Sequence, residues 1–213
     1  GNKEMQDTEA TYTIEQDKAF KLTIDNGNLE QQARLKKATL MMKAEIDEQV
    51  TPAVDKHRFQ VAATGAAAVS QNLTATDDAY DDVLELNKML GNKHVPRKGR
   101  VLYVGETLYK KVKKHLVTTA NADNFNSGVI KEGYVGKLDG THTIVIPDDY
   151  LPTGTLGIMW HKKSILGAKQ IASARIKTDS ELVDGAVLMG RYIYGAFVLE
   201  AKKYGVASIV AGA

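Results

Sequence analysis

The sequence contains no cysteine, and this absence removes several kinds of chemistry. Without thiols the chain has no disulfide framework, no cysteine nucleophile and no zinc site built on thiolates. An excess of one charge is also missing, because 28 Lys and Arg residues stand against 26 Asp and Glu residues, for a formal net charge of +2. So small a net charge predicts no strong bulk attraction to nucleic acid or to acidic membranes.

Long hydrophobic runs are absent as well. No apolar stretch approaches the roughly 20 residues that a membrane-spanning helix needs, and the polar residues 1–13 do not have the pattern of a signal peptide. What the chain does have is 213 residues, of which 43% are hydrophobic and 25% charged. That is enough for one large domain or two small ones with a real core. We therefore predict a globular protein with no membrane partner.

Catalytic and metal-binding motifs are scarce. The five histidines have no metal-ligand spacing and form no HExxH motif, and Ser164 and Ser173 lack a G-x-S-x-G context. An acidic quartet lacks the residue order and the distal Glu of a calcium loop, so we interpret it as charge at a helix N-terminus. The histidines are His57, His94, His115, His142 and His161, and the quartet is Asp77, Asp78, Asp81 and Asp82. The sequence thus predicts no catalytic residue, no metal and no cofactor, and a protein that is not an enzyme.

Three glycines, Gly133, Gly136 and Gly140, stand close together before an apolar strand and permit two interpretations. One is the phosphate-binding loop of a small α/β nucleotide-binding enzyme, but Leu138 stands where the hydroxyl residue is expected, and a strand rather than a helix follows. The other is a β-hairpin, because Asp139 followed by glycine is a strong turn pair. The hairpin fits better, and the enzyme remains the alternative from a different class.

The densest basic patch is a run of four lysines. Nucleic acid or the acidic surface of a neighbour would suit it, but only Tyr109 accompanies it, whereas single-strand binding favours aromatic platforms. A solvated helix face is the simpler interpretation, and a nucleic-acid binding module is a third alternative. The lysines are Lys110, Lys111, Lys113 and Lys114.

The N-terminal third predicts a hairpin followed by a long helix. Apolar residues alternate over Glu9–Asp25, with a tight turn expected at 16–18. Asn28 is expected to cap a helix whose apolar stripe continues to about Ala63, a length of roughly 50 Å at 1.5 Å per residue. Thr51-Pro52 predicts a kink, or a restart in which Thr51 is the cap. So long a strut suits an extended protein that assembles better than a compact enzyme.

The rest of the chain alternates short helices and strands. A small, polar link is expected over 64–75, and Thr76 is expected to cap a helix that Gly91 ends. The segment 187–199 is apolar on both faces, which predicts a central strand. The further predicted elements are a helix over 77–90, a strand over 100–105, a helix over 106–116, a loop over 118–128, strands over 141–146 and 156–160, a turn at Asp148-Asp149, mostly strand over 174–210, and a last strand over 206–210.

Four stretches, taken in order, resemble one known family. They are DKAFKLTIDNGNLEQ (17–31), EIDEQVTPAVDKHRFQVAA (45–63), VPRKGRVLYVGETLYKKVKK (95–114), and GYVGKLDGTHTIVIPDDYLP (133–152) followed by DGAVLMGRYIYGAFVLEAKKYGVASIV (184–210). Their order and spacing are similar to those of the major capsid proteins of tailed bacteriophages with the Hong Kong 97-type shell fold. In that family they correspond to the extended loop entering the spine helix, the second half of that helix, a strand and helix of the axial domain, and the closing half of the chain.

The resemblance implies an α+β fold with a long spine helix, a peripheral domain, an axial domain and a remnant of the extended loop. The expected boundaries are 1–25 for the loop hairpin remnant, 26–75 with 175–213 for the peripheral domain, and 76–174 for the axial domain. Since the chain starts inside what corresponds to that loop, we expect an N-terminal arm and the rest of the loop to have been trimmed or removed. The resemblance carries over no cross-linking pair of residues.

The function that the resemblance implies is structural. Copies of the chain would self-assemble through hexamers and pentamers into an icosahedral phage or prophage head that encloses double-stranded DNA. Scaffold and portal proteins would be partners, the packaged DNA would be bound non-specifically, and the protein would be made in the bacterial host cytoplasm and reside in the virion. An encapsulin-like compartment shell would share the fold and is the alternative.

Eight residues are candidates for contacts between subunits. Mixed charge along the long helix would supply salt-sensitive contacts, each exposed pair contributing about 0–1 kcal/mol, and the hairpin offers backbone edges that would lie over a neighbour. The candidates are Lys36, Lys37, Lys43, Glu45, Asp47 and Glu48 on the helix and Tyr12 and Phe20 in the hairpin.

Overall fold

The computed structural model describes residues 10–25, 43–119, 134–177 and 185–212. Their strands are β1 (Gln16–Asp25), β2 (Asn72–Thr74), β3 (Arg100–Gly105), β4 (Tyr134–Leu138), β5 (Thr141–Ile146), β6 (Thr155–His161), β7 (Ile165–Lys177), β8 (Gly185–Val198) and β9 (Val206–Val210). The α-helices are α1 (Thr51–Ala68), α2 (Ala79–Asn92) and α3 (Glu106–Thr119). The strands form a three-stranded sheet in the order β1-β8-β7 and a six-stranded sheet in the order β2-β9-β6-β3-β5-β4. The α+β class is confirmed.

The predicted hairpin over Glu9–Asp25 is wrong. Residues 16–18 do not turn but begin the single strand β1, which pairs antiparallel with β8 from Gln16 opposite Tyr194 to Asp25 opposite Gly185. The alternation of apolar residues did indicate a strand, but the partner strand comes from the other end of the chain. A local pattern cannot distinguish a neighbouring strand from a distant one.

The interruption predicted at Thr51-Pro52 takes the form of a π-helical turn over Ile46–Val50. Thr51 N–H donates to the Ile46 carbonyl, five residues back, and the backbone stays helical, so α1 is not capped by the Thr51 side chain. Proline lacks an N–H and its ring collides with the carbonyl four residues earlier in an α-helix, and the π-helical turn lies immediately before it. The helix ends at Ala68 rather than near residue 63, so the expected link starts later and includes β2.

Helix α2 is capped by Asp78, not by Thr76. The Asp78 side chain accepts hydrogen bonds from the backbone of Tyr80 at 3.0 Å and of Asp81 at 3.2 Å, as an N-cap does. The Thr76 hydroxyl instead donates to Asp82 at 2.8 Å. Gly91 lies inside the helix, which ends one residue later.

The glycine-rich stretch forms the predicted hairpin. Strands β4 and β5 pair antiparallel through Asp139-Gly140, whose φ angles of 45° and 74° are those of a two-residue hairpin turn. Gly136 has a φ of 108° where the pairing register shifts, a position that favours glycine. Gly133 lies outside the described residues. Within residues 134–146 the glycines therefore join two strands, not a strand and a helix.

The six-stranded sheet is packed on both faces. One face meets α2 and α3 in a cluster that includes Leu86, Leu102, Leu108, Met159 and Ile209; the other meets α1 in a cluster that includes Phe59, Ala62, Ile158 and Val206. Neighbouring residues of each strand alternate between the clusters, as the period of a strand requires. Strand β9 belongs to this sheet although residues 175–213 were expected in the peripheral domain; the domain boundaries themselves stay a prediction.

The three-stranded sheet has less cover. Strand β8 is its central strand, as predicted, and β7 begins at Ile165, earlier than expected. The first turns of α1 pack on one face of β8, where Val50, Val54 and Tyr194 form a small buried cluster with Phe20 beside it. Further along, a methyl group on Gly65 of α1 would lie 2.6 Å from Val198 Cγ2. The helix therefore reaches from one sheet to the other.

Candidate assembly surfaces

Two of the predicted contact residues, Tyr12 and Phe20, pack within their own chain. Phe20 lies opposite Gly190, and its ring covers that glycine so closely that a methyl group there would collide with it. The Tyr12 ring lies 5.2 Å from the ring of Phe197, and its hydroxyl accepts a hydrogen bond from the Glu200 backbone at 3.3 Å. Both side chains tie the N-terminal segment to β8, and their role between subunits stays a prediction.

Four predicted helix residues lie together at the entry to α1. Lys43 precedes the π-helical turn and is exposed, Glu45 is half-buried, and Asp47 and Glu48 are exposed on the turn itself. Lys36 and Lys37 lie outside the described residues. A π-helical turn often marks a functional position in a helix, and here it presents two adjacent carboxylates to solvent. Contact between subunits through this segment stays a prediction.

The structure adds a surface that sequence reasoning missed: the face of the three-stranded sheet turned away from α1, which we call the open face. Leu166 and Met189 lie on it, 48% and 36% exposed, and Ile14, 40% exposed, packs across Gly195 onto the same side. The signal was present, because β8 is apolar on both faces. That pattern indicated a covered second face, yet among the described residues the segment that carries Tyr12 and Ile14 packs on it only at one end.

One ion pair lies on the open face. Arg191 donates from Nε to Asp17 Oδ1 at 2.8 Å, and its Nη2 contacts the second carboxylate oxygen, which joins β8 to β1. The hydrogen bond from Arg191 lowers the pKa of Asp17, and the same bond raises the pKa of Arg191. On the covered face, burial lowers the pKa of His57, whose ring meets Tyr194 edge-on at 5.4 Å.

Two further groups with shifted pKa values, Tyr103 and Arg100, are parts of the core. Burial raises the pKa of Tyr103, which stacks on Trp160 at 4.4 Å. Arg100 is 1% exposed, burial lowers its pKa, and its guanidinium donates to the Asn87 side chain at 2.9 Å and to the Val95 carbonyl. Among the described residues, no group of three or more His, Asp or Glu side chains is placed to hold a metal ion. In the same part of the chain, no helix is long and apolar enough to cross a membrane.

No family model matches the sequence, and no curated protein matches it either. Solved structures do match. The capsid of cyanophage P-SCSP1u superposes with a TM-score of 0.67 at 14% identity, covering 100% of this chain and 80% of that one. The capsid of Ralstonia phage GP4 gives 0.66 at 10% identity, covering 91% and 72%. The holo-SrpI encapsulin complex from Synechococcus elongatus PCC 7942 gives 0.64 at 12% identity, covering 92% and 73%.

The chain has the Hong Kong 97-type capsid fold. This confirms the fold that the four sequence stretches implied.

Proposed function

We propose that the protein is a major capsid protein, whose copies self-assemble into the icosahedral head of a tailed phage or prophage around double-stranded DNA. The observation that supports this most strongly is the capsid fold, matched over 91–100% of the chain by phage capsid structures. The role is structural, and no residue is assigned a catalytic task. Hexamers and pentamers of the chain, scaffold and portal proteins, and packaged DNA are the proposed partners. A protein with this role would be made in a bacterial cytoplasm and reside in the virion.

The open face supports self-assembly physically. Two apolar side chains are exposed on it, Leu166 opposite Phe197 and Met189 opposite Arg175, and both are available for contact with a neighbour. Heterologous contacts between different patches of identical subunits close into rings and shells. An open face on one subunit and the charged π-helical turn of another would provide two such different patches. Each exposed charge pair contributes about 0–1 kcal/mol, and repetition over a shell multiplies it.

The test is to express this chain beside the natural open reading frame that contains it, and to examine both by negative-stain electron microscopy and sedimentation. Shells or rings from the natural frame are the expected result. The charge reversal Asp47→Lys with Glu48→Lys in that frame should reduce assembly while leaving the urea midpoint of the subunit unchanged. Monomers from both chains over a range of salt and protein concentrations would overturn the proposal.

An encapsulin-like compartment is the second candidate, because an encapsulin shell matches as well as the phage capsids do. The contents of purified shells separate the two. A phage head expressed with its packaging partners protects DNA from nuclease, whereas a compartment co-purifies with a stoichiometric protein cargo. Shells that hold cargo protein and no protected DNA would replace the first proposal with the second.

A further inference from the structure

A cavity of about 630 Å³ lies at the end of the six-stranded sheet where β3 begins and β6 ends. Three segments form it: the loop between α2 and β3, the turn after β6, and the 3-10 segment Glu200–Gly205 that leads into β9. Five lysines line it, and none of the lining residues is Asp or Glu. They are Lys93, Lys98, Lys162, Lys163 and Lys202. In a chain with a net charge of only +2, this is a strong local concentration of positive charge.

Hydrogen bonds fix the segments that form the cavity relative to one another. Lys162 N donates to the Gly99 carbonyl at 2.9 Å, and Leu199 N donates to the Ser164 carbonyl at 2.9 Å. His161, 8% exposed, accepts at Nδ1 from the Lys163 backbone and lies 3.2 Å from the Lys98 carbonyl through Nε2. Because Nδ1 accepts, Nε2 carries the proton and donates. The histidine therefore fixes the two lysine-bearing turns against each other.

Close packing fixes the third segment. A methyl group on Gly205 would collide with Ser164, so the 3-10 segment lies directly on the turn after β6. Gly99 has a φ of 94° and His94 a φ of 59°, conformations that residues with side chains adopt rarely. The five lysine side chains are exposed to solvent around this fixed concave surface, and a cleft lined by charge of one sign attracts the opposite charge.

An aromatic ring stands at the rim. Tyr204 is 43% exposed, and the ammonium groups of Lys93 and Lys203 lie 4.9 and 5.9 Å from its ring centroid. A basic groove combined with an exposed aromatic ring is the pattern of proteins that bind single-stranded nucleic acid, where bases stack on the ring and ammonium groups contact phosphates. The lysine row on α3 lacks this pattern, because its one nearby ring, Tyr109, is half-buried and packs against the core of the six-stranded sheet.

From this geometry we infer that the cavity binds the phosphodiester backbone of a nucleic acid, with Tyr204 as the platform for one base of a single strand. Lysine suits this role because its ammonium group is a compact charge that contacts phosphates without reading sequence. The inference deepens the proposed function, in which packaged DNA is a partner, by naming a site for nucleic acid, and its test is separate because binding is measured on unassembled protein. A failure to bind nucleic acid would leave shell formation untouched, and a failure to assemble would leave the binding measurement untouched.

The experiment measures fluorescence anisotropy of a labelled oligothymidylate and of a labelled duplex over a salt series. The test variant carries Lys98→Ser, Lys162→Ser and Lys163→Ser; the matched control carries Lys110→Ser, Lys111→Ser and Lys113→Ser on α3. For the single strand we expect the test variant to make the slope of log K against log salt shallower by about 2, since each phosphate contact contributes roughly 0.7. The control should keep the slope of the unmodified protein. A loss confined to the control, or no loss in either, overturns the inference.

Two further arms identify the ligand. Tyr204→Leu should weaken oligothymidylate binding roughly 5- to 150-fold, the range for one base–aromatic contact, and leave duplex binding unchanged; equal affinity for the single strand would remove the platform role. Polyglutamate is the competitor that represents an acidic polypeptide. If it displaces the oligonucleotide as well as unlabelled oligothymidylate of equal charge does, the cavity is a site for acidic protein, and the inference is wrong. Circular dichroism melts of all variants establish that they are folded.

Discussion

The two sheets of the molecule differ in how much of their surface the chain itself covers. The six-stranded sheet has α2 and α3 on one face and α1 on the other, and its strands contribute fully buried residues to both clusters. The three-stranded sheet has α1 on one face only, with three buried residues in the cluster between them and Leu166 and Met189 exposed on the other. Since hydrophobic stabilisation scales with the apolar area that is buried, the first sheet is stable through its own chain. The three-stranded sheet keeps Leu166 and Met189 exposed, where a neighbouring subunit could cover them.

The largest effect is expected where the six-stranded core is broken. Leu102 is fully buried between β3 and the helices α2 and α3, so Leu102→Ala should lower the free energy of unfolding by about 2–5 kcal/mol, through lost transfer energy and the cavity left behind. Urea denaturation followed by circular dichroism measures it. A change below about 1 kcal/mol would show that this core does not carry the stability of the subunit.

Substitution at the contact of α1 with β8 should give the next largest effect on the free energy of unfolding, and its sign should be opposite to that of an ordinary Gly→Ala change in a helix. A helix-interior Gly→Ala change normally stabilises by roughly 0.5–1 kcal/mol. Gly65→Ala should instead destabilise by about 1–3 kcal/mol, because its methyl group would press on Val198 and overpack the contact. Gly91→Ala in α2 is the matched control, since the nearest atom to its methyl group would be an Arg100 nitrogen at 3.9 Å, an ordinary van der Waals distance; it should stabilise. Stabilisation by both substitutions in thermal melts would mean that α1 and β8 are less tightly packed than described.

The open face should respond in the opposite way to the core. The double substitution Leu166→Ser with Met189→Ser removes exposed side chains, so the unfolding free energy of the monomer should change by less than about 0.5 kcal/mol per site. Assembly of the natural open reading frame, measured by sedimentation, should fall because the apolar surface offered to a neighbour is lost. Normal assembly would locate the interface elsewhere, and a large loss of monomer stability would show that the face is covered in the monomer.

The sequence predicted those parts of the structure in which each residue contacts others near it in sequence, and failed where the contacting residues are distant in sequence. The hairpin at Asp139-Gly140, the strand β3 and the amphipathic pattern of α3 depend on neighbours in sequence, and all three were predicted. The residues of β8 that pair with β1 lie 160 residues or more away in sequence, and no pattern within 9–25 identifies them. Asp148 accepts from the Thr107 backbone at 3.2 Å and from its hydroxyl at 2.6 Å, a cap on α3 from a turn 41 residues later that local rules cannot find.

The candidate sites show the same division. The run at Lys110–Lys114 was visible because its lysines are consecutive on one helix, whereas the lysines of the cavity come from three separate segments and meet only in the fold. Likewise the burial of Arg100 could not be read from RVLYVG, because its acceptors, Asn87 and the Val95 carbonyl, lie in another helix and in a loop. The apolar pattern of β8 was readable, but only the structure showed that one of its two faces is covered only at one end in the described chain.

The smallest effect on stability is expected at the Asp17–Arg191 pair, which joins β1 to β8 on the open face of the three-stranded sheet. The pair is exposed, so Asp17→Asn should shift the urea midpoint only slightly at neutral pH. The folded-state pKa of Asp17 is lowered, chiefly by the hydrogen bond from Arg191. Its contribution is therefore fully present above the ordinary aspartate value of about 3.9 and is lost as the pH falls through the lowered folded-state value. The unfolding curves of the two proteins should differ at pH 6 and converge on acidification, whereas a difference that grows towards low pH would mean that the carboxylate is not stabilised by Arg191.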